Sequence, residues 1–335
     1  MNERWVTLRA PALADARFEV LSLEGEERLS ALPVLTMDIR AVDAGMEGYR
    51  ELLSTEVVSL RFEEQGQVRR HFHGMVVDLE LAHREEERGT MFARVRVAPR
   101  LWLLERNVGS ELFVNASYPE IIAQKLGAIG LKEGDDYRFA LSETYPRREL
   151  TVQYEESDLA FVQRLCEHLG IITRFEHTAD HDRWVLTDMP DALGADEGRA
   201  AIPVRSRTDH PAAYGVNTRM KRGAQSVAVH DYNYRAPRLA LLQETTAANH
   251  GALGRRVEYG AHSKDPTEAR RLSAIRQEAL VAGSEVVTGG CSAMHLEVGQ
   301  RLVLDHVELG TMELLITALE HEGRERDGAQ DWDSG

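Results

Sequence analysis

The feature that most constrains the fold of this chain is a two-residue alternation of apolar and polar side chains through its first hundred residues. Leu35, Met37 and Ile39 alternate with polar residues, and residues 58–62 repeat the pattern. Such alternation puts one face of a β-strand on a core and the other face in water. Several short antiparallel strands in succession are typical of a barrel or a sandwich.

Two longer alternating segments predict a β-hairpin at the end of this region. The first has apolar residues at positions 75, 77, 79 and 81, and the second has them at positions 91, 93, 95 and 97. The polar sequence HREEERG, residues 83–89, separates the two segments. We therefore predict two paired strands with a hydrated tip that contains the run from Arg84 to Arg88.

The middle of the chain begins with the signals of a capped helix. Ser117 and Glu120 have the spacing of a capping box, in which the two side chains satisfy the first free backbone N–H groups. Pro119 suits the first turn, and Gly130 can end the helix. The spacing therefore predicts a helix between these residues.

A second predicted helix starts at Ser157-Asp158 and stops at Gly170. It carries one apolar stripe, formed by Leu159, Val162, Leu165, Cys166 and Leu169. Short strands are predicted around it, at residues 150–154, 171–175 and 184–186. The middle of the chain is therefore predicted to be a small α/β module.

Strand patterns return beyond about residue 200 and are interrupted by one helix. Asp265 is predicted to cap this helix, with Pro266 at its first position, Glu268 completing the capping signal and Gly283 at its end. Three strands are predicted here, at residues 226–234, 301–305 and 312–319. The sequence HVELG joins the last two.

These patterns predict an α+β fold that is mainly β. We expect a first β domain over residues 1–100 and an inserted α/β module over residues 101–195. A second β domain is expected over residues 196–323, followed by a polar tail over residues 324–335. The predicted order is therefore β domain, α/β module, second β domain.

Charge and hydropathy exclude several classes of partner. The net charge is −15 and the isoelectric point is near 5.4, which argues against nucleic acid and against an anionic membrane surface. No apolar run approaches the roughly 20 residues of a membrane-spanning helix, and the N-terminus lacks the pattern of a signal peptide. The two cysteines, Cys166 and Cys291, are too few for a zinc ribbon or a disulfide framework.

A search for metal ligands nominates no site. His321-Glu322 begins like the zinc motif HExxH, but Arg324 and Glu325 follow in place of the second histidine. His71-x-His73 supplies only two ligands, fewer than a zinc site needs. We expect His177 and His181, which flank a polar turn, to be solvated.

A search for catalytic groups also nominates no residue. The chain has no GxSxG elbow and no GK[ST] phosphate loop. Its 55 acidic residues make chance carboxylate pairs certain, so sequence alone cannot select a glycosidase pair. Cys166 is expected to be a buried, inert thiol, and Trp102 and Trp184 are expected to be core residues. We therefore predict no catalytic, metal or cofactor residue and no cofactor, and the interface residues stay unassigned.

Two segments match the sequence pattern of one known family. In residues 92–122 a strand runs into P-R-L-W-x-L, then into a polar loop and a helix. Residues 148–177 are similar to the segment V-Q-Y-x-E-S-D-x-x-F-V-x-R-L, which a glycine and an aromatic-rich strand follow. Weaker agreement occurs at residues 72–80, 230–237 and 296–304. In these segments the chain resembles the VgrG family of type VI secretion spike proteins.

This resemblance implies a structural adaptor in a contractile injection machine. It implies two tube-like β-barrel domains with the α/β module inserted, as in phage tail hubs. A homotrimer would then form a pseudo-sixfold ring that joins the hexameric Hcp tube to a three-fold needle. The expected partners are Hcp, baseplate components and an effector or tip protein on the needle. The protein would be assembled in the bacterial cytoplasm and then injected or secreted by the machine.

Two alternatives stay open at this point. The same hub could belong to a phage tail or an extracellular injection particle, and a cell-wall hydrolase effector is an alternative from another class. The resemblance also leads us to expect an oligonucleotide/oligosaccharide-binding type of barrel and a β-helix needle beyond these residues.

Overall fold

The computed structural model describes most of the chain. It describes residues 4–13, 17–42, 46–64, 66–83, 91–194, 199–205, 212–247, 251–306, 310–326 and 329–334. The predicted hairpin tip between Arg84 and Arg88 lies outside these residues, and so do residues 307–309 within HVELG.

Strands make up most of the regular structure. The first eleven strands are β1 Arg4–Arg9, β2 Arg17–Arg28, β3 Val34–Val42, β4 Val58–Glu64, β5 Gln67–His83, β6 Met91–Ala98, β7 Val108–Ala116, β8 Tyr137–Ala140, β9 Arg148–Ser157, β10 Ile172–His177 and β11 Asp182–Thr187. The others are β12 Arg199–Pro203, β13 Ala213–Met220, β14 Ser226–His230, β15 Gln243–Thr246, β16 Arg255–Tyr259, β17 Glu285–Cys291, β18 Arg301–His306, β19 Gly310–Leu315, β20 Ala318–Arg326 and β21 Ala329–Ser334.

Five α-helices are described with them. They are α1 Met46–Ser54, α2 Leu103–Arg106, α3 Tyr118–Ala128, α4 Asp158–Leu169 and α5 Pro266–Ala282. Short 3₁₀ helices lie at Pro11–Leu13, Arg100–Trp102 and Pro190–Ala192. No helix in the described part of the chain is both long and apolar enough to cross a bilayer. The predicted fold class, α+β and mainly β, is confirmed.

The first six strands form a closed barrel. They are hydrogen-bonded in the order β1-β4-β5-β6-β3-β2, and β2 pairs back to β1 to close the ring. The alternating residues predicted for the core line its interior, and Leu35, Met37 and Ile39 are fully buried. Apolar side chains from all six strands meet there, so the alternation determines which face of each strand turns inward.

The hairpin of β5 and β6 is confirmed, with one correction to its face. The pairing shifts register between Val76 and Asp78. Val76 is therefore the buried residue, whereas the alternation predicted Met75 and Val77 on the core face and both are only half-buried. After the shift, Leu79 and Leu81 pack against the core as predicted. A bulge adds one residue to one strand and so exchanges the two faces.

The sheet continues beyond the barrel from the second half of β2. Residues 22–28 of β2 pair with β20, and the order then runs β20-β21-β17-β13. The expected polar tail, residues 324–335, is therefore corrected, because β20 extends through Arg326 and β21 pairs with it. Backbone hydrogen bonds of a ladder do not depend on side-chain polarity, so a charged sequence can complete a sheet.

The α/β module matches its predicted elements. Ser117 and Glu120 form the predicted capping box of α3, and α4 carries its predicted buried stripe. Gly130 and Gly170 follow the two helices with positive φ angles of 80° and 69°, which favour glycine. The strands form an antiparallel ribbon of β7 and β9 and a three-stranded sheet in the order β10-β11-β8.

The chain divides into two compact units. Unit 1 contains residues 1–164, 172–214 and 290–335, and unit 2 contains residues 165–171 and 215–289. In unit 2, the sheet β15-β14-β16 packs against α5, whose predicted cap Asp265 accepts hydrogen bonds from two backbone amides. In unit 1, β12, β18 and β19 form a separate three-stranded sheet. The described strand pairings close one barrel.

Candidate functional site

One group of charged side chains in unit 1 is buried and joins four strands. Glu27 on β2, Arg70 on β5, His177 on β10 and His321 on β20 meet here, each at most 6% exposed at its side chain. β2, β5 and β20 belong to the ten-stranded sheet, whereas β10 belongs to the α/β module. The cluster therefore fastens the module to the sheet.

The Glu27 carboxylate is the centre of this cluster. Arg70 Nη2 donates to both of its oxygens, at 2.7 and 2.5 Å. His321 Nε2 lies 2.6 Å from Glu27 Oε1. A second carboxylate, Glu297, lies 3.7 Å from Arg70 Nε. Charge-assisted pairs with this geometry are among the strong polar contacts in proteins.

His177 connects the cluster to β11. Its Nδ1 lies 3.0 Å from Asp182 Oδ1, and its Nε2 lies 3.7 Å from Glu27 Oε2. Asp182 Oδ1 also accepts a hydrogen bond from the backbone N–H of His73, at 3.0 Å. The ring of His177 packs 5.0 Å from that of Phe72. Polar and apolar contacts therefore both hold the imidazole in place.

The cluster shifts the ionisation of Glu27 and His177 in favour of their charged forms. Burial opposes the Glu27 carboxylate, but Arg70 and the histidines outweigh it and hold the pKa of Glu27 well below its usual value. Burial likewise opposes the charged His177 imidazole, but Asp182 and Glu27 raise the pKa of His177 to about 9. Both groups are therefore ionised at neutral pH.

The space beside the cluster is too small for a substrate. A cavity of about 10 Å³ is bordered by Glu27, Arg174, His177 and Glu297, among others. This volume accommodates about one water molecule. The carboxylate and the imidazoles that could do acid–base chemistry are already paired, His321 with Glu27 and His177 with Asp182. Each charged group in this arrangement is paired with a group of opposite charge, as in a structural connection between elements.

The structure corrects the prediction for His177 and places the other histidines. His177 was expected to be solvated, but its side chain is buried, because it packs against Phe72 and pairs with Asp182. His181 is exposed, as expected. His321 points into the cluster, whereas Glu322, its neighbour on β20, is exposed. Adjacent strand residues face opposite sides, so the partial HExxH pattern cannot converge on one metal.

The His71-x-His73 pair is used within the fold. The two rings are stacked, 5.9 Å apart. His73 Nδ1 lies 2.8 Å from Ser59 Oγ, and His73 Nε2 lies 3.0 Å from the carbonyl oxygen of Thr178. Burial lowers the pKa of His71, with further lowering by His73. Among the described residues, no three histidine, cysteine or acidic side chains are grouped to hold a metal ion.

The cysteine and the two tryptophans singled out in the sequence lie in the core or at its edge. Burial raises the pKa of the Cys166 thiol to about 12, which leaves it protonated and unreactive. Trp184 is buried, whereas Trp102 is half-buried with the Arg106 guanidinium over its ring.

A second ionic group orders the α/β module. Lys125 on α3 lies 2.7 Å from both Glu111 Oε2 on β7 and Asp158 Oδ1 at the start of α4. Burial opposes the charge of Lys125, but the two acids outweigh it and raise its pKa. Phe113 of β7 stacks on Phe161 of α4 at 5.5 Å. These contacts fix the inner face of the β7–β9 ribbon on the two helices.

The outer face of this ribbon is apolar and exposed. Leu112 lies opposite Val152, and Val114 lies opposite Leu150, so the four side chains share one face. Leu112 is 65% exposed and Val114 is 71% exposed. Tyr154 extends the exposed apolar row along β9. We call these five residues the ribbon face.

A polar groove of about 530 Å³ lies on the outer side of β20, β2, β3 and β6. Arg94 donates to both carboxylate oxygens of Asp38, at 2.9 and 3.1 Å, and Arg40 pairs with Glu19. The charges along this groove are therefore largely paired between neighbouring strands. Exposed pairs of this kind contribute about 0–1 kcal/mol each.

Comparison with known families gives the class of this closed barrel with its sheet extension and α/β module, which is that of phage tail baseplate hub proteins. Residues 26–327 match the profile of the family described as phage tail baseplate hub (GPD). The chain belongs to this family.

Known relatives confirm the resemblance to VgrG proteins. The chain is 31% identical to the type VI secretion system spike protein VgrG4b of Pseudomonas aeruginosa over 232 residues, which are 67% of this chain and 27% of that protein. It is 31% identical to VgrG1c of the same organism over 227 residues, which are 64% of this chain and 29% of that protein. The chain thus spans about 27–29% of the length of these two relatives.

Solved structures share the fold. An E. coli type VI secretion component, described as similar to the T4 phage tail proteins gp27 and gp5, aligns with a TM-score of 0.69 and 21% identity. The alignment covers 98% of this chain and 75% of that one. A tail protein from Neisseria meningitidis aligns with a TM-score of 0.67 and 12% identity over 99% of this chain and 96% of that one.

Proposed function

We propose that this chain is the hub of a type VI secretion spike, in which it acts as a structural adaptor. The observation that carries this proposal is the coincidence of a family match over residues 26–327 with a closed six-stranded barrel. A barrel has no free edges within its ring, so it suits a part that stacks on others by its surface. The named spike relatives support the same role.

Three copies would form a ring that converts six-fold into three-fold symmetry. In this proposal the first β domain, residues 1–100, and a second barrel-like domain, residues 196–323, occupy six similar positions in the trimer. The module over residues 101–195 is inserted between them. The ring then docks on a hexameric Hcp tube, and a needle continues from its other side.

The proposed role needs no catalytic residue. VgrG4b is a spike protein and the matching family is one of tail hubs, while the acids and bases of the buried cluster are bonded to one another. We propose baseplate components and an effector or tip protein as further partners. We also propose assembly in the bacterial cytoplasm and export by the machine itself.

The test is assembly of the purified chain alone and with Hcp rings. Light scattering over a wide concentration range should give a mass of three chains, and electron microscopy of the purified assembly should show a ring. The trimer should co-sediment with Hcp hexamers, while dilution to monomer should abolish binding because six weak contacts then act singly. A chain that stays monomeric, or a verified trimer that ignores Hcp, would contradict the proposal.

A phage tail hub is the second candidate, favoured by the likeness to the Neisseria tail protein and by the family description. Both candidates predict a trimeric ring. They differ in the tube on which the ring docks. Binding to a phage tail-tube protein in preference to Hcp, measured in one competition experiment, would select this alternative.

A further inference from the structure

The ribbon face is an extended apolar surface that unit 1 leaves in solvent. Its five side chains come from two paired strands, and no charged side chain lies between Leu112, Val114, Leu150 and Val152 in the ladder. Ser110, a polar neighbour in the row, already accepts a hydrogen bond from the backbone N–H of Glu155. Exposed apolar patches of this kind mark interaction sites.

The size of the ribbon face indicates one part of a larger contact. A nine-residue strand is about 30 Å long and two strands are about 10 Å wide, so the whole ribbon offers about 300 Å², of which the ribbon face is a part. A stable interface buries about 800 Å² on each partner. The ribbon face alone is therefore too small to hold a dimer, and its occupant must also contact other surfaces of the chain.

The two units carry opposite net charge. Unit 2 contains 11 lysines and arginines against 8 acidic residues, a net charge of +3. The rest of the chain, unit 1, contains 29 against 47, a net charge of −18. A contact between unit 2 of one copy and unit 1 of another is therefore electrostatically favoured, whereas contact of unit 1 with unit 1 is opposed.

Unit 2 also has an exposed apolar face of its own. Val229 of β14 packs on Leu272 of α5, so the residues next to it in the strand face away from the helix. In register with that outer side, β16 presents Val257 and Tyr259. Tyr259 is 69% exposed, and its ring meets that of His230 edge-on at 5.4 Å. We call Val257, Tyr259 and His230 the unit 2 face.

We infer that the ribbon face of one copy binds the unit 2 face of a second copy, head to tail. A closed ring of three copies requires two different, complementary surfaces on each chain, because a self-complementary surface gives only pairs. The two apolar faces provide the buried centre of such a contact, and the opposite charges of the two units provide its orientation. This inference rests on the proposed trimer and assigns the surfaces that form it.

Cross-linking between two single-cysteine variants tests the pairing directly. Leu112→Cys protein is mixed with size-tagged Tyr259→Cys protein and treated with a short bis-maleimide. The native thiols, Cys166 and Cys291, are buried and should not react. The matched control is Leu53→Cys on α1, which is 47% exposed but belongs to neither face. Each product is identified by its size.

The expected product joins the two different variants, at least about fivefold above the Leu53→Cys control. Its yield should fall severalfold when the salt concentration rises from about 0.05 to 0.5 M, because screening weakens the attraction between oppositely charged units. Products that join Leu112→Cys to itself would overturn the head-to-tail arrangement. A yield no higher than that of the control, with a trimeric wild-type chain, would overturn it too.

A substitution test separates this inference from the proposed function. Leu112→Lys should weaken trimer formation at least about tenfold, whereas Leu53→Lys should leave it unchanged. The two variants should give equal circular dichroism spectra, which shows that they are folded alike. If Leu112→Lys trimerises like the wild type, the surfaces are wrongly assigned while the trimer itself stands. If the wild type does not trimerise, the proposed adaptor and this inference fail together.

Discussion

Replacing Arg70 by methionine tests whether the buried cluster holds the α/β module on the barrel. The variant keeps much of the side-chain volume but removes the charge that faces Glu27. Both side chains are almost inaccessible, at 1% and 6% exposure, so water cannot compensate the carboxylate that remains. Breaking a buried ion pair from one side costs about 3–5 kcal/mol. We expect a loss of that size in the free energy of unfolding.

Arg94→Met is the matched control. Arg94 also pairs with a carboxylate on a neighbouring strand, Asp38, through two hydrogen bonds, but its side chain is 56% exposed. An exposed pair contributes about 0–1 kcal/mol, so this variant should be nearly as stable as the wild type. The two variants therefore differ in the burial of the pair and share its chemistry.

Urea unfolding followed by tryptophan fluorescence gives the comparison, with the midpoint and slope fitted for each variant. A third variant, Arg70→Met with Glu27→Gln, removes both charges and should recover at least about 1 kcal/mol of the loss. Equal stability of Arg70→Met and Arg94→Met would refute the reasoning. So would a double variant less stable than Arg70→Met, because the carboxylate left without its arginine partner could not then be the cause.

Three single features of the structure give further predictions. The raised pKa of His177 means that its stabilising contribution is complete below pH about 6.5 and is lost as the pH rises to about 9, so unfolding midpoints should fall over that window in the wild type and much less in His177→Gln. Leu165→Ala should cost about 2–5 kcal/mol because the side chain is buried, and a change below about 0.5 kcal/mol by urea unfolding would contradict this packing. Ser117→Ala should cost about 1 kcal/mol through loss of the capping box, whereas Ser142→Ala, in an exposed loop, serves as its comparison in thermal melts.

Much of the fold could be predicted because its signals are local. The alternation around Leu35 and Leu60 depends only on neighbouring residues, and it placed the barrel strands with the right face inward. Helix α3 was predicted for the same reason, since its cap is formed by residues three positions apart. The face of β5 was harder to predict, because the register shift at Val76 arises from pairing with β6.

The buried cluster could not be predicted because its partners are remote in sequence. Arg70 is 43 positions from Glu27, and His321 is 294 positions from it. Each residue alone has the appearance of a solvated strand residue, and His177 has that of a turn histidine. One signal was available in retrospect, since the aromatic Phe175 shares the face of His177 on β10 and stacks with it at 6.2 Å. Strand residues two positions apart lie on the same face, so a histidine two positions from an aromatic residue is favoured to be buried with it.

Perturbed ionisation is often taken as the mark of an active site, and this cluster shows why the partners must be examined as well. A catalytic acid or base needs a proton or a lone pair that is not already hydrogen-bonded and that points into a space that a substrate can enter. Here the carboxylate of Glu27 is bonded by Arg70 and His321, and the neighbouring cavity is about 10 Å³. The same burial and pairing that shift the pKa of His177 also leave no room for a reactant. A buried charged contact of this kind is costly to break from one side, and the expected loss in Arg70→Met measures the cost of leaving the buried Glu27 carboxylate without its arginine partner.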